Sequence, residues 1–232
     1  VLKAPQLPRA DPCTRIPHAF SKQELIHFFQ ECDHYKPCGK GIGERCKSMV
    51  LPVFFRLLYS SGIRPNEARM LRVTDVDLQQ GIIDVSHAKG NWQHYLVLHD
   101  SMLALMREYD RAVQELHPNR IYFFSTGKDS MYDKRTISKY FRRFWSAQNT
   151  SNAVSYDFRH NYAITNINSW TDVGMGFHDK MLTLSKSMGH AMLESTKYYY
   201  SLVPGMADIL REQTEEGFNA LLPEVVYEES ES

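Results

Sequence analysis

The hydrophobic and polar positions of this chain favour helix over most of its length and a single β region near the middle. Leu25, Ile26, Phe28 and Phe29 follow Ser21, an N-cap residue with Glu24 three positions on, and the pair predicts a helix opening there. Residues 34–46, rich in glycine and lysine, read as a loop. The densely apolar run from about Lys47 to Ser60 predicts a core helix, and Pro65 suits the first turn of a helix reaching about Arg72. Residues 81–86 and 93–98 flank a turn containing Lys89-Gly90-Asn91, which predicts a β-hairpin. Helical patterning resumes at about 101–116, 133–147 and 157–168, then near 180–188, 192–200 and 204–222. The expected fold is mostly α with a small antiparallel β-sheet, an α+β architecture. Residues 1–20, with Pro5, Pro8, Pro12 and Pro17 and little periodicity, read as a linker, which leaves 21–203 as the body and 204–232 as a C-terminal helix and tail.

Composition narrows the picture further. A chain of 232 residues holds one well-packed domain with extensions, and 43% hydrophobic with 23% charged residues excludes wholesale disorder. No apolar run approaches the length of a membrane span and the N-terminus carries no signal-peptide pattern, so no membrane association is expected. All four cysteines, Cys13, Cys32, Cys38 and Cys46, lie near the N-terminus, which argues for free thiols in a reducing cytoplasm over a disulfide framework. The spacings among Cys32, His34, Cys38 and Cys46 match no common ligand pair, so no metal and no cofactor are expected. The opening Val1 suggests a piece of a longer protein.

The net charge of zero hides an asymmetry. From Asp208 onward there are eight acidic residues against Arg211 alone, which leaves 26 basic and 19 acidic residues in 1–207, a net of +7. A basic body with an acidic tail suits a polyanion-binding domain. Lys134, Arg135, Lys139, Arg142 and Arg143 alternate with Tyr140, Phe141, Phe144 and Trp145. One helix would therefore present a cationic stripe to DNA opposite an apolar one. Lys40, Arg45 and Lys47 could also line a DNA backbone or simply belong to a solvated loop.

Four separated segments are hard to explain as packing. They are Gly62-Ile63-Arg64-Pro65-Asn66-Glu67-Ala68, Lys89-Gly90-Asn91, Tyr156-Asp157-Phe158-Arg159-His160, and Met188-Gly189-His190 followed nine residues later by Tyr199. In this order and spacing they resemble the catalytic domain of the tyrosine recombinases, the phage-integrase family. Its members show a G-[LI]-R-x-x-E segment, a hairpin lysine, an H-x-x-R-H segment, an L-G-H segment and a tyrosine nine residues beyond that last histidine. The resemblance covers about 21–203 and departs from the pattern at Tyr156, which stands where the family has histidine. A phenol there can donate to phosphate but is a poor base at neutral pH.

The resemblance implies a site-specific recombinase that cuts and rejoins double-stranded DNA through a 3′-phosphotyrosyl intermediate. It also implies self-association into a tetramer on DNA and an N-terminal DNA-binding domain beyond residue 1. Tyr199 would be the nucleophile, Lys89 the general acid toward the 5′-oxygen, and His190 a phosphate or proton-transfer partner. Independently of any family, two forked and permanently charged guanidiniums, Arg64 and Arg159, suit the extra charge on a pentacoordinate phosphorus. Glu67 is expected to orient the arginines, and His160 to serve packing or backbone contact as readily as catalysis. A type IB topoisomerase-like nicking-closing enzyme and a non-catalytic DNA-binding protein of the same fold stay open. So do three roles for the tail: docking on a neighbouring protomer, covering the basic face, or plain packing.

Overall fold

The computed structural model describes residues 16–86, 93–128, 130–170 and 175–190, together with Thr196. The helix α1 (Lys22–Asp33) opens with the expected capping box: the Ser21 hydroxyl accepts from the Glu24 N–H, and the Glu24 carboxylate accepts from the Ser21 N–H. The central helix, α2 (Ile42–Ser61), is buried along most of its length, with Val50, Leu51, Phe54, Phe55, Leu57 and Leu58 all inaccessible to solvent. It packs against α1 and the later helices, as an element apolar around its circumference must. Arg56 ties α2 to the end of α1 by donating from both terminal nitrogens to the Asp33 carboxylate at 2.7 Å.

Two boundaries differ from the sequence expectation for tertiary reasons. The helix α2 starts at Ile42 rather than Lys47, because its glycine-rich first turn packs directly on the 126–127 loop. A methyl group on Gly43 would lie 2.9 Å from the Thr126 carbonyl oxygen. The helix after Pro65, α3 (Pro65–Ala68), stops well short of Arg72. There the chain is diverted to pair with another segment: Phe123 N donates to Leu71 O and Val73 N to Ile121 O. Those long-range hydrogen bonds replace the helical ones that residues 69–72 would have made.

The hairpin forms as expected and gains a third strand. β1 (Val76–Asp77), β2 (Ile82–Val85) and β3 (His94–Val97) pair antiparallel in that order, with Ile83 opposite Leu96 and Val85 opposite His94. Those four side chains are buried on one face, whereas Tyr95 and Val97 are exposed on the other. β1 has only two residues, too few for alternation to register in sequence. The turn carrying Lys89 lies outside the described residues.

The remaining elements are α4 (Asp100–Leu116), α5 (Lys134–Gln148), α6 (Asp157–Asn168) and α7 (Met175–Ser187), the last beginning earlier than its sequence pattern implied. Of the expected 192–200 helix only Thr196 is described, in helical conformation, and the expected 204–222 helix lies outside the described residues.

Phe28 of α1 is the hub of the main core, in ring contact with Phe55, Phe141, Phe144, Trp145 and Phe158. A second, smaller cluster joins Ala163 and Ile167 of α6 to Met181, Leu184 and Met188. α6 thus belongs to both cores, and Arg159 lies on the helix between them. Phe28→Ala is expected to destabilise the domain by about 3–5 kcal/mol, the cost of emptying a fully packed aromatic site. A lowered urea midpoint at unchanged slope checks it.

Candidate active site

Arg159 is only 1% exposed although its side chain is permanently charged. Such burial is tolerable when the terminal nitrogens of the fork meet acceptors. Nη1 donates to the Gly62 carbonyl at 2.7 Å, and Nη2 donates both to the Met188 carbonyl at 2.7 Å and to His190 Nε2 at 2.9 Å. The first acceptor is the left-handed cap of α2 (φ +65°), and the others come from the turn after α7. One guanidinium therefore joins three chain segments that are far apart in sequence.

Arg64 reaches the same turn from the other side. It caps α3, with its backbone N–H donating to Glu67 Oε2 at 3.1 Å and Nη1 to Glu67 Oε1 at 2.6 Å. Glu67 is almost wholly buried, so its carboxylate fixes the arginine while a quarter of the Arg64 side chain stays accessible. Nη2 of Arg64 donates to the Gly189 carbonyl at 3.1 Å. Gly189 itself has φ +62°, and a methyl group there would sit 2.5 Å from Cε1 and Nδ1 of His94 on β3. Only glycine satisfies both the backbone conformation and that close approach.

The protonation of His190 follows from its neighbours. A guanidinium can only donate, so Nε2 is an acceptor; the ring proton of the neutral form then sits on Nδ1 and is donated to Thr196 Oγ1 at 2.7 Å. Burial, and then the positive charge of Arg159 and of Arg64 with a smaller contribution from His94, lowers its pKa from 6.5 to about 4. His190 is a neutral, oriented hydrogen-bonding group at physiological pH. A cleft of about 850 Å³ opens beside it, walled by β3 and α7 and including His94, Tyr95, Tyr162, Trp170 and Lys186.

The structure thus brings together Arg64, Glu67, Arg159 and His190. Tyr156 stands at the start of α6, 40% exposed, with its ring edge-on to His160 at 5.2 Å. Lys89 and Tyr199 lie outside the described residues. The five cationic residues of α5 form an exposed stripe along a groove, opposite the buried Ile137, Tyr140, Phe141, Phe144 and Trp145. Within it, Arg143 stacks its guanidinium over Tyr35. Among the described residues no group of three or more His, Cys, Asp or Glu side chains is placed to hold a metal ion. No described helix is long and apolar enough to cross a membrane.

Sequence reasoning missed His94 and Thr196. His94 carried a signal, since it falls on the buried face of the strand that leaves the lysine turn. Thr196 gave none, because its partner is chosen only by the fold of the 188–190 turn.

The described residues thus form a mostly helical domain with one small sheet, in which Arg64, Arg159 and His190 meet at the turn after α7. Residues 20–204 match the family model described as "Phage integrase family", and the chain belongs to that family. It is 24% identical over 218 residues to the integrase/recombinase y4rE of Sinorhizobium fredii, covering 90% of this chain and 68% of that one. Tyrosine recombinase XerC of Lactobacillus delbrueckii subsp. bulgaricus is 25% identical over 203 residues, covering 83% of this chain and 64% of that protein. The chain spans about two thirds of the length of these relatives. In fold it resembles XerA recombinase, with a TM-score of 0.66 at 18% identity, covering 89% of this chain and 67% of that one. XerH site-specific recombinase, solved in a post-cleavage complex with its palindromic difH substrate, gives 0.61 at 20% identity, covering 86% and 53%.

The tautomer and the depressed pKa of His190 are directly measurable. In the ¹⁵N-labelled domain, long-range ¹H–¹⁵N correlations are expected to show the Nδ1–H form from pH 8 down to below 6, with titration near 4. Because the fold favours the neutral ring, this contribution to stability is complete above the unfolded value of 6.5 and is lost as pH falls toward 4. An imidazolium signal at pH 7 would contradict the Arg159 contact.

Proposed function

We propose that the chain is the catalytic part of a site-specific DNA recombinase that cleaves and rejoins double-stranded DNA through a 3′-phosphotyrosyl intermediate. The observation that carries this reading is the convergence of Arg64, Arg159 and His190 from three distant segments on one turn. Arg64, held by Glu67 and the Gly189 carbonyl with a quarter of its side chain accessible, can give hydrogen bonds to a non-bridging oxygen as negative charge builds there. The buried Arg159, held by the Gly62 and Met188 carbonyls, adds a fixed positive charge beside it and orients His190. The neutral His190 adds a hydrogen-bonding group oriented by Thr196.

In this reading Tyr199 gives up its phenolic proton to water as its oxygen attacks phosphorus in line, and the P–O bond to the 5′-oxygen breaks. Lys89 gives that oxygen a proton. The phosphotyrosyl bond conserves the energy of the broken linkage, so religation by a 5′-hydroxyl reverses the step without a nucleotide cofactor. Tyr156 contacts phosphate rather than acting as a base, and His160 supports it through their ring contact. Residues 21–203 form the catalytic unit, a division supported by the family match over 20–204. Strand exchange requires self-association, with four copies on two duplexes. The compartment is the cytoplasm, in keeping with the free thiols of Cys32, Cys38 and Cys46.

Two measurements test the reading. A nicked half-site duplex is expected to leave DNA covalently attached to the wild-type protein in EDTA. Tyr199→Phe should abolish the adduct, while Tyr198→Phe and Tyr200→Phe retain it. Adduct formation by Tyr199→Phe would overturn the nucleophile assignment, and loss on chelation would overturn the mechanism. The α5 stripe is expected to bind DNA backbone: replacing Lys139 and Arg142 by alanine should reduce the slope of log affinity against log salt by up to about 2, and weaken all sequences alike.

A further inference from the structure

Tyr162 lines the cleft beside His190, yet the strand-transfer chemistry gives it no task. It stands on α6 three residues after Arg159, so the two side chains leave the same face of the helix one turn apart. Its ring lies directly on Gly62, the left-handed cap of α2: a methyl group there would sit 2.5 Å from Cδ1 and 2.9 Å from Cγ of the tyrosine. The carbonyl of that glycine accepts from Arg159 Nη1 at 2.7 Å. Tyr162 also packs against the small cluster containing Met181, Leu184 and Met188, and the Met188 carbonyl accepts from Arg159 Nη2 at 2.7 Å. Burial raises the pKa of the phenol, and a hydrogen bond with Ser187, the last residue of α7, works against it. One ring therefore touches both backbone segments that the Arg159 guanidinium spans.

We propose that Tyr162 is a positioning residue whose ring sets the span between the Gly62 and Met188 carbonyls and so holds the Arg159 guanidinium where it meets His190. Its effect on DNA cleavage rests on the recombinase reading above; its effect on the guanidinium does not. Both carbonyls are bonded at the short end of the ordinary N–H···O range, so the fork tolerates little change in the distance between them. A close-packed ring resists such a change, because an interior at crystal-like density has no free volume to yield into. An error of about 1 Å in a group that acts on the reacting phosphate is enough to cost roughly 100-fold in rate.

The test follows the guanidinium and the reaction separately. In the chain labelled with ¹⁵N at arginine, the buried and hydrogen-bonded Nη1 and Nη2 of Arg159 are expected to give resolved signals that exchange slowly with solvent. Tyr162→Phe keeps the ring and should leave them unchanged, whereas Tyr162→Leu removes the flat wedge and should speed their exchange by roughly tenfold or more. Single-turnover cleavage of a nicked half-site at saturating DNA should fall by roughly tenfold or more in Tyr162→Leu and recover in Tyr162→Phe. DNA affinity should be unchanged in both, because neither touches the α5 stripe. Arg159→Lys keeps a charge but cannot bridge both carbonyls. In that background Tyr162→Leu should cost little further, since its effect passes through the guanidinium.

Arg159 signals that exchange as slowly in Tyr162→Leu as in the wild type would overturn the proposal, whatever the cleavage rate. Equal losses in Tyr162→Phe and Tyr162→Leu would overturn it too, because the ring would then not be the wedge. So would a full additional loss from Tyr162→Leu in the Arg159→Lys background, or wild-type cleavage by Tyr162→Leu while Arg159→Lys is slow. Loosened Arg159 signals with wild-type cleavage in both Tyr162→Leu and Arg159→Lys would support the hold on the guanidinium and count against the recombinase reading instead. If Tyr162→Leu loses its near-UV circular dichroism, Tyr162→Met, whose flexible chain fills the volume without a flat ring, takes its place under the same criteria.

Discussion

The buried guanidinium of Arg159 is the constraint on which the rest of this domain depends. A charge taken out of water costs several kcal/mol unless it is met by acceptors, and here both terminal nitrogens are met, by the carbonyls of Gly62 and Met188 and by His190. The end of α2, the start of α6 and the turn after α7 must therefore be in register before the cation can be buried. Mispositioning any of the three leaves an uncompensated charge, so the same interaction that shapes the site also penalises other arrangements of the helices around it.

The two hydrophobic clusters explain how so polar a junction is supported. Phe158, immediately before Arg159, is locked into the main aromatic core through Phe28, Phe29 and Phe141, while Ala163 and Ile167 on the same helix anchor the α7 layer. The site occupies the seam between these layers. Packing on both sides supports α6, and the seam leaves His190 open toward the cleft beside β3. Preorganisation here means that donor directions are set before substrate arrives, which is where electrostatic catalysis gains most.

Much of this was legible in the chain itself. The Ser21–Glu24 cap, the hairpin, the apolar faces of α4 and α5, and the arginines at positions 64 and 159 all follow from local chemistry or from ordered motif spacing. Where expectation and structure part, the cause is long-range. The helix after Pro65 ends early because residues 71–73 pair with 121–123, and α2 begins early because two glycine-containing turns pack together. β1 exists only because β2 offers it a partner.

Sequence by itself determined most of the helices, the hairpin pairing and which residues are candidates for the chemistry, because periodicity, capping and motif spacing are properties of neighbouring residues. It placed Gly189 and His190 just after the helix near 180–188, and Glu67 three residues after Arg64 in the turn into a helix. Only the tertiary structure decided that His190 faces Arg159 with Nε2 and Thr196 with Nδ1, and that it is therefore neutral. Only the tertiary structure brought His94 against Gly189. Protonation and contact depend on which atoms share a buried volume, and that is settled by packing between segments such as Arg159 and His190, 31 residues apart, or Arg64 and Gly189, 125 apart, which no local pattern encodes.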